Sequence, residues 1–314
     1  MFCARRLMTL HPVTVSESKD TTFIEHLAVL GVGLIGGSLA ASLKKRDCVK
    51  HVSGYGRSQA NLTLASRLGL IDKVSNSVEE AVRGADVVLI ASPIGAIGEL
   101  LDEIRQHAPK KAIVTDVGSA KAGVIAIAES ALGDRFPLFV PGHPVAGSER
   151  SGASAADPEL FVDHWAVLTP LNETDPDALR IVRRMWEAAG AKVKMMTPEA
   201  HDRLLAMISH LPHATAYGLT MQLARQDGRD DLFDLAAGGF LDITRIASSD
   251  PVMWRDIFID NRDEVLSLIA EHKNVLSELE ALIETRDLAG LEGWCAEAKR
   301  IRDRLAKHVS DQEL

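Results

Sequence analysis

The segment Gly31-Val32-Gly33-Leu34-Ile35-Gly36 leaves the first part of this chain few ways to fold. It follows an apolar run at 27–30 directly and opens a helix-forming stretch at 38–46, so three glycines sit on a strand-to-helix turn. In that context each glycine has a separate task. Gly31 permits the tight turn, Gly33 lets the backbone approach a pyrophosphate, and Gly36 lets the helix pack closely on the strand. The helix N-terminus, with Leu34 and Ile35 in its first turn, adds free N–H groups and a positive dipole end. The pattern predicts a dinucleotide cofactor held on this turn.

Such a fold usually carries an Asp or Glu about twenty residues later to hold the ribose 2′-hydroxyl. Here the second apolar run ends Gly54-Tyr55-Gly56-Arg57-Ser58, with no carboxylate. Arg57 and Ser58 suit a 2′-phosphate and hence NADP. Arg57 stacked on adenine suits NAD equally, and the sequence leaves both open.

Short apolar runs at 27–30, 51–55, 86–91, 112–116, 138–140 and 165–169 alternate with helical patterns at 38–46, 61–68, 96–106 and 121–131. A further helix and strand are expected at 175–189 and 192–196. The alternation predicts an α/β fold, a Rossmann-type doubly wound and mostly parallel sheet. After Thr197-Pro198 the strand pattern stops. Proline opens a long helical run at 198–226, and 263–285 and 288–309 read as long amphipathic helices. The expected division is a disordered leader at 1–22, a dinucleotide-binding domain at 23–197 and an all-α dimerisation and substrate domain at 198–314. Two domains suit 314 residues. The last two helices offer more apolar surface than a small domain buries alone, which predicts a homodimer.

A net charge of −9 argues against a nucleic-acid partner. Cys3, Cys48 and Cys295 lie far apart with no metal-ligand spacing, and read as free thiols of the cytoplasm. The longest uncharged run, 27–43, has 17 residues and four glycines, a poor membrane span.

Ligands of doubly wound sheets bind outside the carboxyl ends of the strands. Three such ends carry polar clusters: Ser92-Pro93, Asp116-Val117-Gly118-Ser119-Ala120-Lys121, and Pro141-Gly142-His143-Pro144-Val145-Ala146-Gly147-Ser148-Glu149. The helical part adds Ser209-His210-Leu211-Pro212-His213 and the stretch from Gly238-Gly239-Phe240-Leu241-Asp242-Ile243-Thr244-Arg245 to Trp254. In this order, from about 27 to 304, the motifs resemble the prephenate/arogenate (cyclohexadienyl) dehydrogenase family of tyrosine biosynthesis.

The resemblance implies oxidative decarboxylation of prephenate to 4-hydroxyphenylpyruvate, or of arogenate to tyrosine, with NAD or NADP and no metal. His143 is then the group that takes the substrate hydroxyl proton, a task imidazole performs near neutral pH. Ser119 would touch the same hydroxyl and the nicotinamide side; its structural alternative is an N-cap for the helix near Lys121. Arg245 would clamp a carboxylate, with Asp242 one turn earlier orienting it and Gly238 opening the same motif. Ser209 and His213, four residues apart, share a helix face at the substrate and nicotinamide end. Trp254 would reach a neighbouring subunit's site or pack in the core. Glu149 would join an ionic gate at the cleft mouth or stay solvated.

The family also includes members fused to a chorismate mutase or an ACT domain. The chain beyond the two domains is too short for either, so a monofunctional enzyme is expected. The rival readings are another dehydrogenase of the same plan, such as a β-hydroxyacid dehydrogenase, and a non-catalytic dinucleotide sensor.

Overall fold

The computed structural model describes residues 22–147 and 150–311. The leader expected at 1–22 falls outside them except for its last residue. Strands β1 (Ile24–Leu30), β2 (Val49–Tyr55), β3 (Lys73–Val74), β4 (Val87–Ile90), β5 (Ile113–Asp116) and β6 (Phe139–Val140) form one parallel sheet, in the order β3-β2-β1-β4-β5-β6. Between them run α1 (Leu34–Lys45), α2 (Gln59–Arg67), α3 (Val78–Val82), α4 (Ile97–His107) and α5 (Ala122–Leu132). The strand order reverses between β1 and β4, which opens a crevice at their carboxyl ends.

The sheet is buried on both faces because its two central strands, β4 and the 27–30 end of β1, are apolar at every position rather than every second one. β1 sends Leu27 and Val29 into one core, with Leu39 and Leu43 of α1, and Ala28 and Leu30 into the other, with Leu101 and Ile104 of α4. All four strand residues are fully buried. This is the doubly wound plan the sequence predicts.

Two runs expected to extend that sheet form a second one instead. β7 (Gly142–Pro144) pairs antiparallel with β8 (Trp165–Leu168), which pairs parallel with β9 (Lys192–Met195) across α6 (Pro176–Ala188). The cause lies at Pro141. It has no amide hydrogen to continue a ladder, and its carbonyl accepts from Thr169 (3.0 Å), which hands the pairing to β8. His143 therefore lies in a strand opposite Val167, not on the loop expected for it.

Beyond this the described chain is helical: α7 (Pro198–Leu205), α8 (Leu211–Ala224), α9 (Arg229–Leu235), α10 (Gly238–Thr244), α11 (Pro251–Asp260), α12 (Arg262–Glu284) and α13 (Leu288–Ser310). The run expected as one helix at 198–226 is interrupted by a π turn at Ala206–His210. Pro212, which cannot donate to the carbonyl four residues back, accounts for the wider turn just before it. α13 has no buried residue, and α12 buries only Val265.

Candidate active site

The glycine turn has the geometry its sequence demands. Gly31 has φ +110°, and a Cβ there would strike the Ala91 carbonyl across the switch point. A Cβ on Gly36 would strike the Gly31 carbonyl, whereas one on Gly33 would meet nothing within 4 Å. Two glycines are thus required by packing, and the middle one faces open space. Gly33 precedes α1 without a side-chain cap, so the first-turn amides of Leu34 and Ile35 are offered to an anion. Asn61 braces the turn, donating to the Val32 carbonyl (2.7 Å) and accepting from the Ala153 amide (2.8 Å). Ser92 donates to the Leu30 carbonyl (2.9 Å), and Pro93 is exposed beside it. Arg57 is exposed, and Ser58 caps α2 by accepting from the Asn61 amide (3.3 Å). The turn suits a dinucleotide.

Past the carboxyl ends of β5 and β6, four elements meet around His143. Its Nδ1 lies 2.9 Å from Nε2 of His201, whose Nδ1 lies 2.7 Å from Oδ1 of Asp202. Both residues belong to α7. The Asp202 carboxylate also accepts from the Lys121 and Ala122 amides (2.8 Å each), so it caps α5. Burial works against this carboxylate, but His201 and the Ala122 and Lys121 amides outweigh it and hold its pKa below the usual range. The cap expected of Ser119 is therefore supplied by Asp202. Among the described residues nothing bonds the Ser119 hydroxyl, which is half-buried at the head of α5.

Lys121 is fully buried. Its Nζ donates to Oδ2 of Asp116 (2.5 Å) and to the Gly142 carbonyl (2.8 Å), while Asp116 accepts from the Gly118 and Gly142 amides. The pair fixes the backbone on both sides of the cleft floor. Burial, then the neighbouring His201, Lys121 and His210, push the His143 pKa well below the ordinary imidazole value. The ring is neutral at pH 7, and no described residue bonds its Nε2.

The helical part joins this cluster through Asn261, which donates to the Asp202 carbonyl (2.8 Å) and lies 3.1 Å from Nδ1 of His210. His210 is fully buried and its pKa falls to about 4, chiefly through burial. It is a structural histidine facing the Ser119 backbone. Trp254 packs edge-on to His210 and stacks on His213 with ring centroids 3.5 Å apart. It is 5% exposed, so it packs within its own chain. His213, on α8, bonds the carbonyl of Ser209 in the π turn (2.9 Å), so the two lie one turn apart. Gly238, Asp242 and Arg245 lie on α10 and the turn after it, on the exposed side of α8. Arg245 falls just past the end of α10, and no Asp242–Arg245 ion pair forms among the described residues. Glu149 lies outside the described residues.

Sequence reasoning missed His201, Asp202, Asn261 and the Lys121–Asp116 pair. One signal was available: His201-Asp202 directly follows the first turn of the helix opened by Thr197-Pro198, where an acid can serve a neighbouring helix end.

The model of the prephenate dehydrogenase nucleotide-binding domain matches residues 39–195, and that of the prephenate dehydrogenase dimerization domain matches 197–303. The chain belongs to the prephenate dehydrogenase family. It is 36% identical to prephenate dehydrogenase of Bacillus subtilis, covering 93% of this chain and 77% of that one. Its identity to cyclohexadienyl dehydrogenase of Zymomonas mobilis is also 36%, over 85% and 91% of the two chains. Prephenate dehydrogenase from Aquifex aeolicus, solved with hydroxyphenyl propionate and NAD+, superimposes with a TM-score of 0.84 at 35% identity, over 93% of this chain and all (100%) of that one. This family membership sets aside the β-hydroxyacid dehydrogenase and sensor readings.

Proposed function

We propose that the chain catalyses the oxidative decarboxylation of prephenate to 4-hydroxyphenylpyruvate, with arogenate as the alternative substrate, in tyrosine biosynthesis. The observation that carries this is the neutral, buried His143, whose Nε2 no described residue bonds, in a chain whose glycine turn suits a dinucleotide. A dinucleotide-binding unit at 23–197 and a helical unit at 198–314 share the work.

Gly31, Gly33 and Gly36 with the amides of Leu34 and Ile35 would hold the pyrophosphate, and Ser92 and Pro93 line the path towards Ser119. The bound dinucleotide supplies the hydride acceptor. His143 Nε2 accepts the proton of the substrate 4-hydroxyl as hydride leaves the carbon that bears it. The carbon–carboxylate bond then breaks, its electron pair aromatises the ring, and CO2 departs. The same oxygen becomes phenolate and takes the proton back from His143, so no net proton is released. Ser119 would hold that oxygen, and Ser209 and His213 the far wall. Arg245, with Gly238 and Asp242 on the helix just before it and Glu149 at the mouth, would clamp a substrate carboxylate. Incubation with prephenate or arogenate and each dinucleotide tests the reading: reduced cofactor should appear at 340 nm (roughly the absorbance maximum of any nicotinamide reduction). No turnover with either substrate would sink it.

Arg57 separates the two dinucleotides. Arg57→Ala should lower kcat/KM with NADP by about 10–150-fold, since one charge-assisted hydrogen bond is worth roughly 1.5–3 kcal/mol, and spare NAD. An equal loss with both would place Arg57 on adenine.

The homodimer reading rests on the same helices. Phe233 and Leu235 of α9, Leu241 of α10, and Ile301 and Leu305 of α13 are all more than half exposed in the single chain. Apolar area of that kind marks an association surface. Sedimentation should give a dimer at micromolar concentration, and a monomer there would contradict the assignment. Cytoplasmic placement is part of the reading, with Cys48 and Cys295 as free thiols. Among the described residues no helix is long and apolar enough to cross a membrane, and no metal-binding cluster forms.

A further inference from the structure

The base assigned above is only half of a longer arrangement. A neutral histidine has two tautomers, and only the one with hydrogen on Nδ1 leaves the Nε2 lone pair available to a substrate hydroxyl. In water the two forms lie close in energy, so a base that must act through Nε2 gains from any partner that chooses for it. His143 has such a partner in His201, and His201 has one in Asp202.

We propose that His201 and Asp202 are a positioning dyad that holds His143 in the Nδ1–H tautomer, with Nε2 turned to the substrate. The inference rests on the functional reading above for what Nε2 does, but the tautomer itself does not depend on it. The choice propagates from one end. The Asp202 carboxylate is ionised and can only accept, so the His201 nitrogen 2.7 Å away carries hydrogen. With that hydrogen facing Asp202, the other nitrogen of His201 is left to accept, and it faces His143 Nδ1 at 2.9 Å. That nitrogen of His143 must carry the hydrogen, and the lone pair is left on Nε2. Both rings are buried, so water does not compete for these bonds.

The dyad is itself held from three sides. The Lys121 and Ala122 amides at the head of α5 take both oxygens of Asp202, and Asn261 takes its backbone carbonyl. His143 comes from β7 and the dyad from α7, so the base is set only when the helical unit docks on the sheets. The same carboxylate fixes the loop that carries Ser119. Base and hydroxyl anchor are therefore registered against one group.

Two substitutions at His201 separate positioning from bulk structure. Gln can accept from His143 through its carbonyl and donate to Asp202 through its amide, whereas Leu can do neither. His201→Leu should lower kcat by about 10²–10³-fold, with KM for prephenate and Kd for NAD within about threefold. His201→Gln should stay within about tenfold of the parent. Two-bond 1H–15N spectra of the full-length protein should show His143 as Nδ1–H in the parent and in His201→Gln, and as a mixture in His201→Leu. His201→Leu with parental kcat and an unchanged His143 tautomer would overturn the proposal. So would an Nε2–H tautomer in the parent, the result expected if His201 is doubly protonated, or equal loss of kcat and NAD binding in both variants. A parent that oxidises neither prephenate nor arogenate would defeat the functional reading alone, because the spectra still decide the dyad.

Discussion

His143→Asn is expected to lower kcat by about 10²–10⁴-fold while NAD affinity stays within about twofold. Asparagine is smaller than the ring but keeps a group able to bond His201, and the pairing with Val167 runs through the backbone, so it survives. It has no nitrogen that can take a proton. The hydroxyl proton must then leave to water as hydride departs, in a site where 8% exposure of His143 leaves little room for it. A pH profile sharpens the expectation. Burial and the facing His201, Lys121 and His210 lower the His143 pKa, so the ring stays unprotonated as pH falls through 6.5, the value of a free imidazole. kcat/KM of the parent should hold across that pH and fall only at lower pH, once His143 gains its proton. In His143→Asn that acid limb should vanish. A variant that turns over at the parental rate would remove His143 from the mechanism.

How far this site could be read without coordinates depended on whether a residue's partners were near in sequence. Gly31 to Gly36 declared themselves because strand, turn and helix are contiguous, and the unbroken apolar run at 27–30 announced a two-faced sheet. Ser209 and His213 were legible through helical spacing, and their bond is local. β7 was not, because Gly142-His143-Pro144 has no apolar alternation and exists as a strand only through β8, more than twenty residues later. The 165–169 run was recognised as a strand, yet its own residues do not say which sheet receives it. His201 and Asp202 look like a solvated pair near the start of a helix. Their meaning comes from His143 and Lys121, 58 and 81 residues away. Ser119 carried a good local cap signature, but a carboxylate on α7 reached the helix end first.

Lys121→Met is expected to lower the free energy of unfolding by about 3–5 kcal/mol, read from the urea midpoint and slope. Lysine and methionine have similar length and volume, so the substitution leaves no large cavity and tests charge rather than packing. What it leaves is Asp116, fully buried, with its ammonium partner gone and only the Gly118 and Gly142 amides to hold it. Removing one member of a buried pair costs far more than removing both, because an uncompensated charge stays in the interior. Asp116→Asn added to Lys121→Met should therefore recover a good part of the loss. The amide oxygen can still accept from Gly142, while its NH2 replaces the oxygen that took the Gly118 amide, so the recovery is partial. The Gly142 carbonyl that Lys121 abandons belongs to the residue before His143, so the single variant should also lose kcat as the base shifts, and the double variant should regain some of it. If Lys121→Met unfolds at the parental urea concentration, the Asp116–Lys121 pair is not what holds the cleft floor, and the placement of His143 must rest on the β7–β8 ladder alone.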